Sequence, residues 1–88
     1  MEQTPGRSVR VSAGADLGAA IAHLRRQLKL TQNELATRVG VHRSWVAQVE
    51  TGRTSPLLDE ELRVLRALGA TVTVSWPATP ATPTTPDS

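Results

Sequence analysis

Residues 42–48 read HRSWVAQ, and in a helix held down by Val41, Val46 and Val49 the residues His42, Arg43, Ser44, Ala47 and Gln48 are left on the outward side. That side carries a guanidinium, an imidazole, a hydroxyl and an amide, with a small methyl between them. These are groups suited to touching DNA, and they form the candidate reading surface. Val41, Val46 and Val49 supply the opposite, apolar face that would hold such a helix down.

A second short helix must precede it. Thr31 followed three residues later by Glu34 is a capping box, in which hydroxyl and carboxylate satisfy each other's orphan backbone donors. Leu35, Ala36 and Val39 then share a face, and Gly40 can take the positive φ that ends the helix. Helix, short turn and helix lets the second helix enter a major groove while the first crosses the backbone. The plainer alternative is a pair of amphipathic helices in any small bundle.

Around this pair, Leu17, Ile21, Leu24 and Leu28 mark an earlier helix from about Ser12 or Ala15 to Lys29. Ser55 with Pro56 suits an N-cap and first-turn proline for a later one, with Leu58, Leu62 and Leu65 as its buried stripe and Gly69 as its stop. Ala70, Val72, Val74 and Trp76 then alternate with polar residues in the period of a half-buried strand. A strand's backbone groups need partners, either a neighbouring molecule or the brief alternating stretch SVRVS near the start of the chain. Pairing with a symmetry mate across a two-fold axis is the simplest answer. The expected organisation is a flexible N-terminal arm at 1–11, a helix-turn-helix domain at 12–69, a dimerisation strand at 70–76 built on Val72, Val74 and Trp76, and a disordered Pro/Thr tail at 77–88.

Eighty-eight residues allow one domain at most, small enough that association would help to stabilise it. The net charge of +2 is unevenly placed. Arg25, Arg26, Lys29, Arg38, Arg43 and Arg53 outweigh Glu34 and Glu50 over residues 17–56, as phosphate attraction requires, although a charged run is also what any solvated face shows. The chain has no cysteine, and His23 and His42 lack metal-pair spacing, so no metal or other cofactor is expected; His23 reads as a surface residue. Nucleophile–base pairs, paired carboxylates with histidine and Gly-rich phosphate loops are all missing, which argues against an enzyme. Neither a spanning apolar run nor an export signal is present, so a cytoplasmic protein without membrane contact is expected.

The run LRRQLKLTQNELATRVGV followed by VAQVETG resembles the Xre/Cro-type helix-turn-helix of phage and bacterial repressors, over roughly residues 17–68. With the strand ATVTVSW directly after a four-helix unit, the chain looks more narrowly like the HipB-type antitoxins, whose dimers are tied by such a strand. The resemblance implies an all-α, four-to-five-helix, lambda-repressor-like domain with the C-terminal strand pairing across a homodimer. It implies a sequence-specific repressor on palindromic double-stranded operator DNA, autorepressing its operon as the antitoxin of a type II module and binding a HipA-type serine/threonine kinase toxin. The alternatives are a stand-alone Xre-family regulator and a protein-interaction module on the same scaffold.

By the same resemblance His42, Arg43, Ser44, Ala47 and Gln48 occupy base-facing positions. Arg43 suits a bidentate contact to guanine O6 and N7, Gln48 suits adenine N6 and N7, and Ala47 offers a methyl to thymine. Ser44 can reach only a nearby base or phosphate. His42 stands where the family usually places a hydroxyl or amide cap, which suggests a phosphate contact instead. Gln32 matches a residue that contacts a phosphate or supports the recognition helix. Trp45 either donates to a phosphate or is partly buried against the preceding helix. Arg25 and Glu50 match an ion pair joining the first helix to the third. Arg38, Arg53, Thr54 and Arg26 are candidate backbone contacts at the rim, with solvated surface side chains as the alternative.

Overall fold

A computed structural model describes residues 7–77 as β1 (Arg7–Val11), α1 (Gly14–Gln27), α2 (Gln32–Val39), α3 (Arg43–Glu50), α4 (Pro56–Ala67) and β2 (Val72–Trp76). Residues 1–6 of the expected arm and residues 78–88 of the expected Pro/Thr tail lie outside the described residues.

Helix boundaries follow the local chemistry read from the sequence. Thr31 Oγ1 accepts from the Glu34 amide at 3.0 Å while Glu34 Oε1 accepts from the Thr31 amide at 2.8 Å, which closes the capping box of α2. Gly40 ends α2 at φ 79°, a left-handed conformation that costs a residue without a Cβ little. Ser55 caps α4 by accepting from the Leu58 amide at 3.1 Å, with Pro56 at the first helical position. α1 ends earlier than its leucine stripe suggested, because Lys29 takes a positive φ of 58° and turns the chain toward α2.

The strands correct two expectations. Residues 7–11 are not a flexible arm: β1 pairs antiparallel with β2 in the same chain, Val9 opposite Val74 and Val11 opposite Val72. β1 gives β2 a ladder along one edge within its own chain, and the fold is mostly helical with a two-stranded sheet rather than all-α. Cross-strand partners share a face, so Val9, Val11, Val72, Val74 and Trp76 lie on one side of the ribbon. Val11 is buried, β1 packs on α1, and the Trp76 ring stands 5.5 Å from that of His23 on α1.

α1 is the hub, packing against α3, α4 and β1. Its buried positions are Gly14, Gly18, Ala20 and Ala22, whereas Leu17, Ile21, Leu24 and Leu28 are only half-buried. Small residues do the close work because a neighbouring backbone comes within reach: a Cβ added at Gly18 would stand 1.9 Å from the Val49 carbonyl oxygen of α3. Leu62 of α4, Ala36 of α2 and Val46 of α3 complete the buried apolar set. Val39 and Val41, expected on buried helix faces, are exposed on either side of the Gly40 turn, Val41 because it precedes α3 rather than lying in it.

Candidate nucleic-acid interface

α3 has one face inside and one outside. Val46 is fully buried and Val49 meets Gly18, while Arg43, Ser44 and Gln48 are exposed and Ala47 is half-buried between them. Helical spacing produces this division, since 44, 47 and 48 lie across the helix from 46 and 49, with Arg43 at the border. The five base-facing candidates are therefore brought together, with His42 exposed at the entry to the helix.

The first turn of α3 differs from those of α2 and α4. His42 is its N-cap, with φ −80° and ψ 144°, but its side chain makes no capping hydrogen bond. The partial positive charge of the helix start is left without a side-chain acceptor, a polarity that favours an incoming phosphate. No acidic residue stands in that first turn.

What aims α3 is a cluster at the opposite end. Arg25 Nε donates to Glu50 Oε2 at 2.6 Å and Arg25 Nη2 donates to Glu50 Oε1 at 3.0 Å, a two-pronged ion pair from α1 to α3. Arg25 Nη1 also donates to the Leu30 carbonyl at 2.7 Å, tying in the loop between α1 and α2. Gln32 Nε2 donates to Glu50 Oε1 at 3.0 Å, so the first residue of α2 joins the same carboxylate. Of the two roles expected for Gln32, its side-chain amide occupies the supporting one. The side chains of Arg25 and Glu50 are 12% and 5% exposed. Arg25's hydrogen bonds hold the Glu50 carboxyl below the ordinary glutamate range; burial opposes them, and the Gln32 bond and the charges of Arg25 and Arg26 add to the lowering. The Arg25 guanidinium is correspondingly pushed up, chiefly by its bond to Glu50.

The rim candidates divide. Arg26, Arg53 and Thr54 are exposed, and Arg38 is half-buried. Arg53, Thr54, Trp45 and Gln48 border an open groove of about 510 Å³ floored by Leu17, Ile21, Val49 and Leu58. Trp45 is half exposed, and its place is over this groove beside α1 and α4. Thr54 also abuts the start of α1, where an added Cβ at Gly14 would stand 2.0 Å from its Oγ1. Sequence reasoning missed Gly14 and Gly18; the small-residue run along α1 was the available signal. Among the described residues, no group of three or more His, Cys, Asp or Glu side chains is placed to hold a metal ion, and no helix is long and apolar enough to cross a membrane.

Comparison with known proteins agrees with this geometry. A family model described as a helix-turn-helix domain matches residues 16–75. The chain is 31% identical over 68 residues to y4mF of Sinorhizobium fredii, named as an uncharacterized HTH-type transcriptional regulator, covering 77% of this chain and 90% of that protein. It is 53% identical over 45 residues to an HTH-type transcriptional regulator of Methanothermobacter thermautotrophicus, covering 51% of this chain and 65% of the relative. A third, from Haemophilus influenzae, is 38% identical over 50 residues, covering 57% of this chain and 51% of the relative. The chain thus spans most of the first relative and between half and two thirds of the other two. No solved structure matches. With a capped α2, a glycine turn, an outward-facing α3 and a family model that takes in all three, the chain belongs to the helix-turn-helix domain family.

Proposed function

We propose that the protein is a sequence-specific DNA-binding transcriptional repressor, without enzymatic activity, that acts as a homodimer on a palindromic operator. The observation that carries this reading is the α3 face: Arg43, Ser44 and Gln48 are exposed on a helix whose other face is fixed by Val46 and Val49 and whose last residue, Glu50, is held by Arg25. Arg43 reads guanine and Gln48 adenine, Ala47 and Ser44 add short-range contacts, and His42 with the uncapped start of α3 takes a phosphate. Arg26, Arg38, Arg53, Thr54 and Trp45 contact the DNA backbone at the rim. Two copies related by a two-fold axis would set their reading helices about 34 Å apart, one turn of the duplex. The naming of the relatives as transcriptional regulators supports the same reading.

Within that role, the order of four helices followed directly by the strand Val72–Trp76 supports a HipB-like antitoxin that represses its own operon and also binds a HipA-type kinase. A bacterial cytoplasm is the setting such a role requires. A gel shift on the gene's own upstream DNA tests the repressor: a sequence-dependent complex that weakens steeply with salt is expected, and its absence would leave an interaction module on the same scaffold. Co-purification with a kinase encoded next to the gene tests the antitoxin role, and lack of any such partner would leave a stand-alone regulator.

A further inference from the structure

The groove bordered by Trp45, Gln48, Arg53 and Thr54 has an apolar floor that phosphate contacts at its rim leave unused. Leu17 and Ile21 of α1, Val49 of α3 and Leu58 of α4 make up that floor, all half-buried, beneath an opening of about 510 Å³. A volume of this size falls within the range of about 300–1,000 Å³ that small-molecule sites occupy. Trp45 lines one wall and is 49% exposed, so much of its indole is left without a protein neighbour. Among the described residues that line the groove, Arg53 is the only charged one, and its guanidinium has no ion-pair partner among the described residues.

We infer that this groove is a binding site for a small aromatic carboxylate, and that its occupant releases the protein from DNA. The release rests on the repressor reading above; the site does not. Each part of the ligand answers a part of the lining. The planar guanidinium of Arg53 matches a carboxylate through two parallel N–H···O bonds, and one positive charge balances one negative charge. Thr54 and Gln48 add neutral donors, as does Ser55, whose Oγ accepts from the Leu58 amide at 3.1 Å and keeps its own O–H to give. A flat aromatic body covers the floor and stacks against the Trp45 indole. Related classes of ligand fit less well. A dianionic phosphate ester brings a second negative charge with no second cation among the described lining residues, and the ammonium of a free amino acid meets no carboxylate there. Asp59, next to Leu58, is not part of the lining, and its Oδ1 accepts from the Gly14 amide at 2.9 Å. Once seated, the ligand takes the charge of Arg53 and covers Trp45 and Gln48, side chains assigned above to DNA, so ligand and operator weaken each other's binding by the same factor.

Proton–nitrogen correlation NMR of the full chain tests the site, with naphthylacetate as the probe and naphthylacetamide as its uncharged counterpart. The chain has two tryptophans, so the spectrum carries two indole signals, one from Trp45 at the groove and one from Trp76 on β2. Naphthylacetate should move the Trp45 signal saturably and leave that of Trp76 in place, and the amide should bind at least about tenfold more weakly. Arg53→Gln, a change at an exposed position, should erase the difference between the two probes, while an unmoved Trp76 signal shows that the fold is intact. In a fluorescence anisotropy assay on labelled upstream DNA, naphthylacetate at about ten times its own dissociation constant should raise the DNA dissociation constant about tenfold. A Trp45 signal that does not move, or that moves equally with acid and amide, would overturn the site. Saturable binding of the acid that leaves DNA affinity unchanged would overturn the release alone. A chain that takes up naphthylacetate through Arg53 but binds no DNA would sink the repressor reading and leave the site standing.

Discussion

Replacing Arg25 by alanine should be among the most damaging single changes outside the apolar core. The substitution removes two hydrogen bonds to Glu50 and one to the Leu30 carbonyl, and leaves the Glu50 carboxylate 5% exposed with Gln32 Nε2 as its remaining side-chain partner. Breaking a buried pair by removing one partner costs about 3–5 kcal/mol. The Arg25 side chain is itself 12% exposed, so water entering its place would partly resolvate Glu50 and hold the loss near the lower end, about 3 kcal/mol. In a domain of this length about 1 kcal/mol moves Tm by about 4–8 °C, which predicts a fall of about 12–24 °C. Arg26 is the internal control, one residue along the same helix, exposed, and acting on Glu50 only through space. Arg26→Ala should change stability by no more than about 0.5 kcal/mol. Thermal melts of the two variants at neutral pH, followed by circular dichroism, make the comparison. Melting temperatures within about 3 °C of each other would refute the view that this cluster fixes α3 on α1.

The other expectations concern the same helix. Because the Glu50 carboxyl lies lower in the folded chain than in the unfolded one, its contribution is fully present above the ordinary glutamate value of about 4.3 and is lost as pH falls through its lower folded value; Tm of wild type should drop on acidification below about pH 4, and Glu50→Gln should flatten that drop. Gly18→Ala should destabilise the fold by about 2 kcal/mol or more, since its methyl meets the Val49 carbonyl and neither backbone can yield alone, and denaturant titration measures the shift in midpoint. Arg43→Ala should narrow the affinity gap between operator and a G·C-to-A·T variant by about 1–3 kcal/mol, whereas Arg53→Ala should weaken binding to both alike and reduce the slope of log K against log salt by about one, both read by fluorescence anisotropy.

Local chemistry made the helices legible and distance in sequence hid the rest. Thr31 with Glu34, Gly40, and Ser55 with Pro56 each act within a few residues, and each stands where its side chain predicts. The Arg25–Glu50 pair joins residues 25 positions apart and was accessible only through resemblance to known repressors. β1 carried its own alternation of Val9 and Val11, but five residues are too few to stand as a strand until Val72 and Val74 are set opposite them. The leucine stripe of α1 pointed to the right helix and the wrong core, because apolar periodicity registers bulk, and α1 meets α3 through the residues that have least of it. Val39 and Val41 erred in the same way, as apolar side chains at a turn that the surrounding chain does not cover.

The seam at Gly18 also bears on how freely this protein can acquire new target sites. The residues that clamp α3 to its scaffold are Val46, Val49 and, at its last position, Glu50, none of them among the residues at 43, 44, 47 and 48 proposed above to read DNA. On the proposed reading, those four positions can be rewritten without disturbing the clamp, as type is exchanged in a fixed press, and operator preference would drift among descendants while melting behaviour holds steady.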